Sequence, residues 1–197
     1  DGPTGAITFN DAFTFPTTDG EDGQVLVTNG SGSVSWTNIQ NKNVAFFTAR
    51  DNHPPNSNYA TVDTRNSVLV LEFDDDVEQS AVFVGSIPAS VSTSSGLQVR
   101  LMWAARQATT GQCRWGVQFE KCTTDLDADS FDTAAEANTT APATNGVPAV
   151  TTITITTIDS LSAGDFFRLR VYRDATDTTN DTLADEAELI AVEVTVA

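Results

Sequence analysis

Leu97-Gln98-Val99-Arg100-Leu101-Met102-Trp103-Ala104-Ala105 is the stretch that decides the fold. Successive side chains of an extended chain point to opposite faces. Leu97, Val99, Leu101 and Trp103 therefore share one face, and Gln98, Arg100 and Met102 the other. A strand with one apolar and one polar side belongs in an antiparallel sheet packed on a core from one side only. The same period of two recurs further along. Trp115, Val117 and Phe119 alternate with Arg114, Gln118 and Glu120. Ile153 and Ile155 alternate with Thr152, Thr154 and Thr156, and Phe167, Leu169 and Val171 with Arg168, Arg170 and Tyr172. Near the end, Ile190, Val192, Val194 and Val196 alternate with Glu193 and Thr195. Before the deciding stretch lie three short apolar runs, Val44–Phe47, Ser67–Phe73 and Ala81–Val84, which read as buried strands.

About eight strands separated by turn residues predict an all-β fold, an antiparallel β-sandwich of the jelly-roll type. Helical pattern is scarce. Thr133–Asn138 reads as at most a single turn, and Ala184–Ala191 reads as strand because Val192–Val196 continues it with period two. Residues 123–149, mostly Asp, Thr, Ala and Asn, read as one long loop.

The first forty residues have a different character, rich in Gly, Thr, Asp and Asn with isolated aromatics. Asn29-Gly30-Ser31-Gly32-Ser33 is a turn between Val25-Leu26-Val27 and Val34-Ser35-Trp36, so a hairpin is predicted there. A lone hairpin is marginal in water. It has to pack on the main domain or on copies of itself, which makes Phe13, Phe15, Val25, Val27 and Trp36 candidate assembly residues. The expected organisation is an N-terminal arm and hairpin over 1–42 and a sandwich over 43–197.

Charge excludes some partners. The chain carries 27 acidic residues against 10 basic ones, a net charge of −17. Phosphate backbones and anionic lipid repel such a surface, so neither nucleic acid nor membrane is an expected partner. No apolar run approaches the length that spans a bilayer. Cys113 and Cys122 flank a single predicted strand that would hold them ~30 Å apart, too far for a disulfide. Their spacing matches no metal motif and leaves the compartment open. The sequence opens at Asp1 without Met or a signal-like start, which reads as a processed chain or a piece of a longer one.

Catalytic motifs are absent from the sequence. The single histidine, His53, sits in Asn-His-Pro-Pro, a turn, without the company that a hydrolase triad or zinc site needs. Carboxylates are too numerous for any pair to be nominated as acid and nucleophile. The expectation is a protein that binds and assembles, not an enzyme. One constellation is a candidate metal site: Asp125, Asp127, Asp129 and Glu136 fall on positions 1, 3, 5 and 12 of an EF-hand-type calcium loop. Position 6 is Ser130 where the sharp turn needs glycine, and composition favours a solvated acidic loop. No other cofactor is implied. Trp103 and Trp115 lie on apolar strand faces and read as core, whereas Trp36 ends the hairpin and is assigned to a subunit interface.

Two segments carry a resemblance. Pro16–Gly20, Gly23–Leu26 and Thr28–Trp36 resemble a short element of phage tail-fibre and related virion proteins that precedes a trimeric β-structured region. Gly2-Pro3-Thr4-Gly5 looks like a last collagen-like triplet of such a fibre. Leu161–Asp174, with Asp181–Ala184 and Leu189–Val196, resembles the closing strands of jelly-roll domains in phage fibre heads and capsid decoration proteins. The resemblance implies a homotrimer on a virion surface, extracellular, that contacts other virion proteins or a host-surface glycan or receptor. It carries over no binding residues. A surface-filament or adhesin subunit assembling through its N-terminal segment, and a carbohydrate-binding module, are the competing expectations.

Overall fold

The computed structural model describes residues 8–9, 13–21, 24–38, 42–122 and 130–197. Contacts divide the chain into two units, Asp1–Asn41 and Lys42–Ala197.

The first unit holds two small antiparallel pairs. β1 (Thr8–Phe9) pairs β2 (Phe13–Thr14), and β3 (Gln24–Thr28) pairs β4 (Val34–Asn38), with Leu26 opposite Trp36 and Thr28 opposite Val34. The predicted turn closes this hairpin. Asn29 Oδ1 accepts from the Ser31 and Ser33 amides at 2.8 and 3.1 Å, and Gly30 and Gly32 take φ of 71° and 85°, which glycine adopts without a Cβ penalty.

The second unit is a two-layer sandwich of antiparallel strands. Its strands are β5 (Asn43–Thr48), β6 (Thr61–Arg65), β7 (Val68–Phe73), β8 (Gln79–Ser86), β9 (Leu97–Ala105), β10 (Gln112–Lys121), β11 (Ala135–Thr140), β12 (Ala149–Ile155), β13 (Phe166–Arg173) and β14 (Ala187–Val196). One layer runs β11-β10-β13-β8 and the other β12-β9-β14-β7-β6. From β7 onward the chain crosses between layers at every connection except β10–β11, which are neighbours in one sheet. Eight strands wound in this order are a jelly roll. β5 adds to the larger layer: it pairs Ala191–Thr195 of β14, while β7 pairs Ala187–Leu189, so the two lie end to end along one side of β14.

The predicted inward faces build the core. Leu97, Val99, Leu101 and Trp103 of β9 face Trp115, Val117 and Phe119 of β10 and Phe167, Leu169 and Val171 of β13, all fully buried. Each such side chain contributes roughly 1.5–3 kcal/mol through burial. Ring contacts knit the layers, where Phe73 meets Trp115 edge-on at 4.9 Å and Phe47 stacks on Phe83 at 5.2 Å, and within the smaller layer Phe119 meets Phe167 at 5.3 Å. The Trp103 indole N–H finds a partner in Thr151 Oγ1 at 2.9 Å.

Three expectations are corrected. Residues 123–149 are not one loop, and Thr133–Asn138 is not a helical turn, because Ala135–Thr140 forms β11 along the outer side of β10. Its alanines, Ala135 and Ala137, pack against the core while Glu136 and Asn138 point outward; small residues suffice where the sandwich tapers to its edge. The period of β14 does not run unbroken through Ile190. A register shift between Leu189 and Ala191 flips the phase, so Ala187 and Leu189 point inward, followed by Val192 and Val194. Thr61–Arg65, unassigned by its polar sequence, is β6, joined to β7 by Asn66 and Ser67, both at positive φ as a tight hairpin turn requires.

β10 runs unbroken between the two cysteines; Cys113 is buried at one end and Cys122 lies just past the other, and both are free thiols. Among the described residues, no helix is long and apolar enough to cross a membrane.

Candidate functional site: a polar cleft on the four-stranded sheet

The outer face of the β11-β10-β13-β8 layer is where polar side chains converge. Strand register sets them in rows. Val84, Arg168 and Glu120 form one row; Val82, Arg170 and Gln118 the next; Ser80, Tyr172, Gly116 and Glu136 the third. Every member is the outward residue of a strand whose inward neighbours are core, so burial of the apolar face dictates which side chains reach this surface.

Two walls rise from the sheet. On one side, residues 53–58 run along the free edge of β8. His53 N donates to Val82 O at 2.7 Å, Val82 N to Asn52 Oδ1 at 3.1 Å, and Ser80 N to Asn58 O at 2.8 Å. Pro54 and Pro55 stiffen this wall, and its tie to β8 covers an edge that would otherwise be open to other strands. On the other side stands Phe131. Asp132 N donates to Phe119 O, and Gln118 Nε2 to Asp132 O, both at 2.9 Å. Ser130 donates to Glu120 Oε1 through its amide (3.0 Å) and hydroxyl (2.9 Å). The cleft between the walls measures about 860 Å³ and is lined by His53–Asn58, Glu78, Ser80, Val82, Val84, Gln118, Phe131, Arg168 and Arg170. That volume lies in the range of small-ligand sites.

Charges in the cleft are matched. Arg168 pairs with Glu120, whose side chain is almost completely buried. Arg170 donates to Gln118 Oε1 at 2.7 Å and to Glu78 Oε1 at 2.6 Å. Both guanidiniums also lie over aromatic rings: Arg168 is 5.0 Å from the centre of Phe131, and Arg170 is 4.6 Å from that of Tyr172. Tyr172 lies flat across β10 because residue 116 is glycine; a Cβ there would sit 2.1 Å from Tyr172 Cζ. The Tyr172 hydroxyl donates to Glu136 Oε1 at 2.8 Å, and burial, with that hydrogen bond, raises its pKa and keeps it protonated. The arrangement is a rigid set of planar donors and acceptors, suited to gripping hydroxyl groups.

The residues singled out from sequence are distributed elsewhere. Glu136 stands on β11, held by Arg114 and Tyr172. Asp125, Asp127 and Asp129 lie outside the described residues. Among the described residues, no group of three or more His, Cys, Asp or Glu is placed to hold a metal. Phe13 and Phe15 touch each other at 5.5 Å between ring centres, Phe13 and Val27 are exposed, and Val25 is half-buried. Trp36 is engaged within its own unit, donating from Nε1 to Thr18 O at 2.9 Å with its ring against Gly20. Sequence reading missed the cleft. Its signals were present in the alternating Arg168, Arg170 and Tyr172 and in the Asn-His-Pro-Pro-Asn turn, but only the side-by-side pairing of β8, β13 and β10 brings them together.

No protein-family model and no curated protein matches the sequence. Several solved structures are similar in shape, two of them as follows. One is a carbohydrate-binding module from a Cellvibrio mixtus lichenase 5A in complex with cellotriose, 14% identical, covering 79% of this chain and 98% of that one, with a TM-score of 0.40. The other is an arabinose-bound α-L-arabinofuranosidase, 13% identical over 78% of this chain, with a TM-score of 0.37; the match covers 25% of that enzyme. Likenesses of this order carry no functional argument, and the conclusion they leave in place is the one strand order gives: an antiparallel β-sandwich wound as a jelly roll.

Proposed function

We propose that the chain is an attachment module of a virion surface, in which the jelly roll binds host-surface glycan through the cleft on its four-stranded sheet and the N-terminal unit joins the chain to its assembly as a homotrimer. The observation that carries the binding half is the cleft itself: about 860 Å³, walled on two sides, floored by planar hydrogen-bonding side chains held in place by neighbours. Pre-positioned polar groups lose little freedom on binding, which is how modest contact areas gain useful affinity. The assembly half is supported by the resemblance of Pro16–Trp36 to a phage fibre element and by the exposure of Phe13, Leu26 and Val27 in that unit. Three copies on one stalk would multiply weak single-site binding through effective concentration.

Two experiments test this. Binding to an immobilised glycan library should give hits that Gln118→Ala and Arg170→Ala abolish while melting temperature stays within a few degrees; hits unaffected by both variants would move the site elsewhere. Light scattering should return three chain masses. A monomer would remove the homotrimer.

A further inference from the structure

We infer that the cleft takes a neutral, hydroxyl-rich glycan, presented as a chain end or a short soluble segment, rather than a polyanionic glycan or the flat face of a packed polysaccharide. This deepens the glycan reading and rests on it. Three observations carry the inference.

The first is charge. Both arginines of the cleft are already matched, Arg168 by Glu120 and Arg170 by Glu78. A uronate or phosphate arriving there would have to displace a carboxylate from its partner and leave that carboxylate unpaired. Glu120 is nearly buried, so its loss of partner is costly. The chain as a whole, at −17, repels polyanions before they arrive.

The second is the state of the aromatic rings. A flat polysaccharide surface is held by aromatic faces lying open and coplanar, because sugar C–H groups stack on them. Here Phe131 carries the Arg168 guanidinium on its ring, and Tyr172 carries that of Arg170 and is itself almost completely buried. What faces the ligand is guanidinium, amide, carboxylate and hydroxyl. Arg170 commits two N–H donors, to Gln118 and Glu78, and the rest of its fork remains for a ligand. Adjacent hydroxyls of a sugar ring match such a fork.

The third is shape. The floor spans β8, β13 and β10, about 10 Å at ~4.8 Å per strand spacing. Walls at residues 53–58 and at Phe131 bound it, so a single chain fits between them and a packed sheet of chains does not.

The test is calorimetric titration of the full chain, at low and high salt. The probes are a panel of neutral oligosaccharides (dextran, galactomannan and xyloglucan fragments) and polygalacturonate. Microcrystalline cellulose serves in a pull-down. The expected result is binding within the neutral panel that changes less than about twofold with salt, with no retention on cellulose and none of polygalacturonate. Glu78→Gln, which removes one negative charge from the cleft, should then raise polygalacturonate binding by about tenfold or more, in a salt-sensitive way. Wild-type binding of polygalacturonate that weakens steeply with salt, or retention on cellulose, would overturn the neutral, single-chain assignment and leave glycan binding standing. Binding to no probe at all would overturn both.

Discussion

Replacing the buried Asp181 with alanine should strongly destabilise the jelly roll. Arg173 is fully buried, and Asp181 is its carboxylate partner, with side-chain exposures of 0% and 2%. Arg173 Nε and Nη2 donate to the two Asp181 oxygens at 2.9 and 2.8 Å, and the remaining donors reach Asp185 O at 2.7 Å and Leu183 O at 2.6 Å. Asp181 Oδ2 also accepts from the Arg114 amide at 2.9 Å. The pair thus pins the 174–186 connection onto the end of the sandwich. Asp181→Ala strands a buried cation and orphans three donors, a loss of about 3–5 kcal/mol. A domain of this kind has roughly 5–15 kcal/mol in total. At about 2–4 °C per kcal/mol for this size, the melting temperature should fall by about 6–20 °C in differential scanning calorimetry. Asp181→Asn, which keeps one acceptor for the guanidinium, should fall less. The double change Arg173→Met with Asp181→Leu should recover much of the loss, because it removes both charges and not one. If Asp181→Ala costs under about 1 kcal/mol, or the double variant is worse than the single, the buried pair is not what fastens this connection.

Three further outcomes follow from particular contacts. The Lys121 ammonium, 2.7 Å away, and then the Ser162 hydroxyl and amide hold the Asp165 carboxyl down to about 2. A depressed folded-state value means that its contribution is complete above the ordinary carboxylate value of ~3.9 and lost as pH falls through about 2, so a carbon-13 carboxyl titration should show that low midpoint, and Lys121→Ala should raise it. Gly116→Ala must displace the Tyr172 ring, at about 1–3 kcal/mol of overpacking, and should change near-ultraviolet circular dichroism together with melting temperature; an unchanged spectrum would show that the ring does not lie where the Cβ would go. Cys113 is fully buried and burial pushes its thiol well above the usual range, while Cys122 is half-exposed and raised less, so a thiol reagent should label Cys122 alone in the native protein and both only in denaturant. Equal native rates would contradict that burial.

The fold was legible wherever one strand face is uniformly large and apolar. Leu97–Trp103 and Phe167–Val171 declare their inward sides because leucine, tryptophan and phenylalanine alternate with charged residues. Legibility failed where burial is shallow. β11 packs with Ala135 and Ala137 only, and alanine in an acidic, threonine-rich context carries no strand signal. β6 has a single apolar side chain, Val62, which is exposed, and is recruited by its hairpin to β7, a tertiary cause that local propensity does not report. In β14 the period holds at Val192 and Val194, but Ala187 and Leu189 face inward on the opposite phase, because the extra residue at Ile190 changes phase without changing hydrophobicity. The cleft was the least legible part. Arg168 and Arg170 were visible as outward residues, but their partners Glu78, just before β8, and Gln118 and Glu120 of β10 lie 48–92 residues away in sequence.

β14 closes the larger sheet. It is the final strand of the sandwich in sequence and yet a central one, flanked by β9 on one side and by β5 and β7 on the other. A ribosome makes the chain from the opposite end. Until residues 187–196 have left the exit tunnel, β12–β9, β7–β6 and β5 have no strand to join them, and the larger sheet exists as three pieces with raw edges. The smaller sheet is ready one strand earlier, when β13 has inserted between β8 and β10. Completion of the larger sheet during synthesis thus waits for β14, through long-range pairing that is slow to find. In that interval nascent chains of neighbouring ribosomes present complementary open edges to each other, and a host holding many of them at once would need chaperones, or spacing along the message, to keep each β14 for its own sheet.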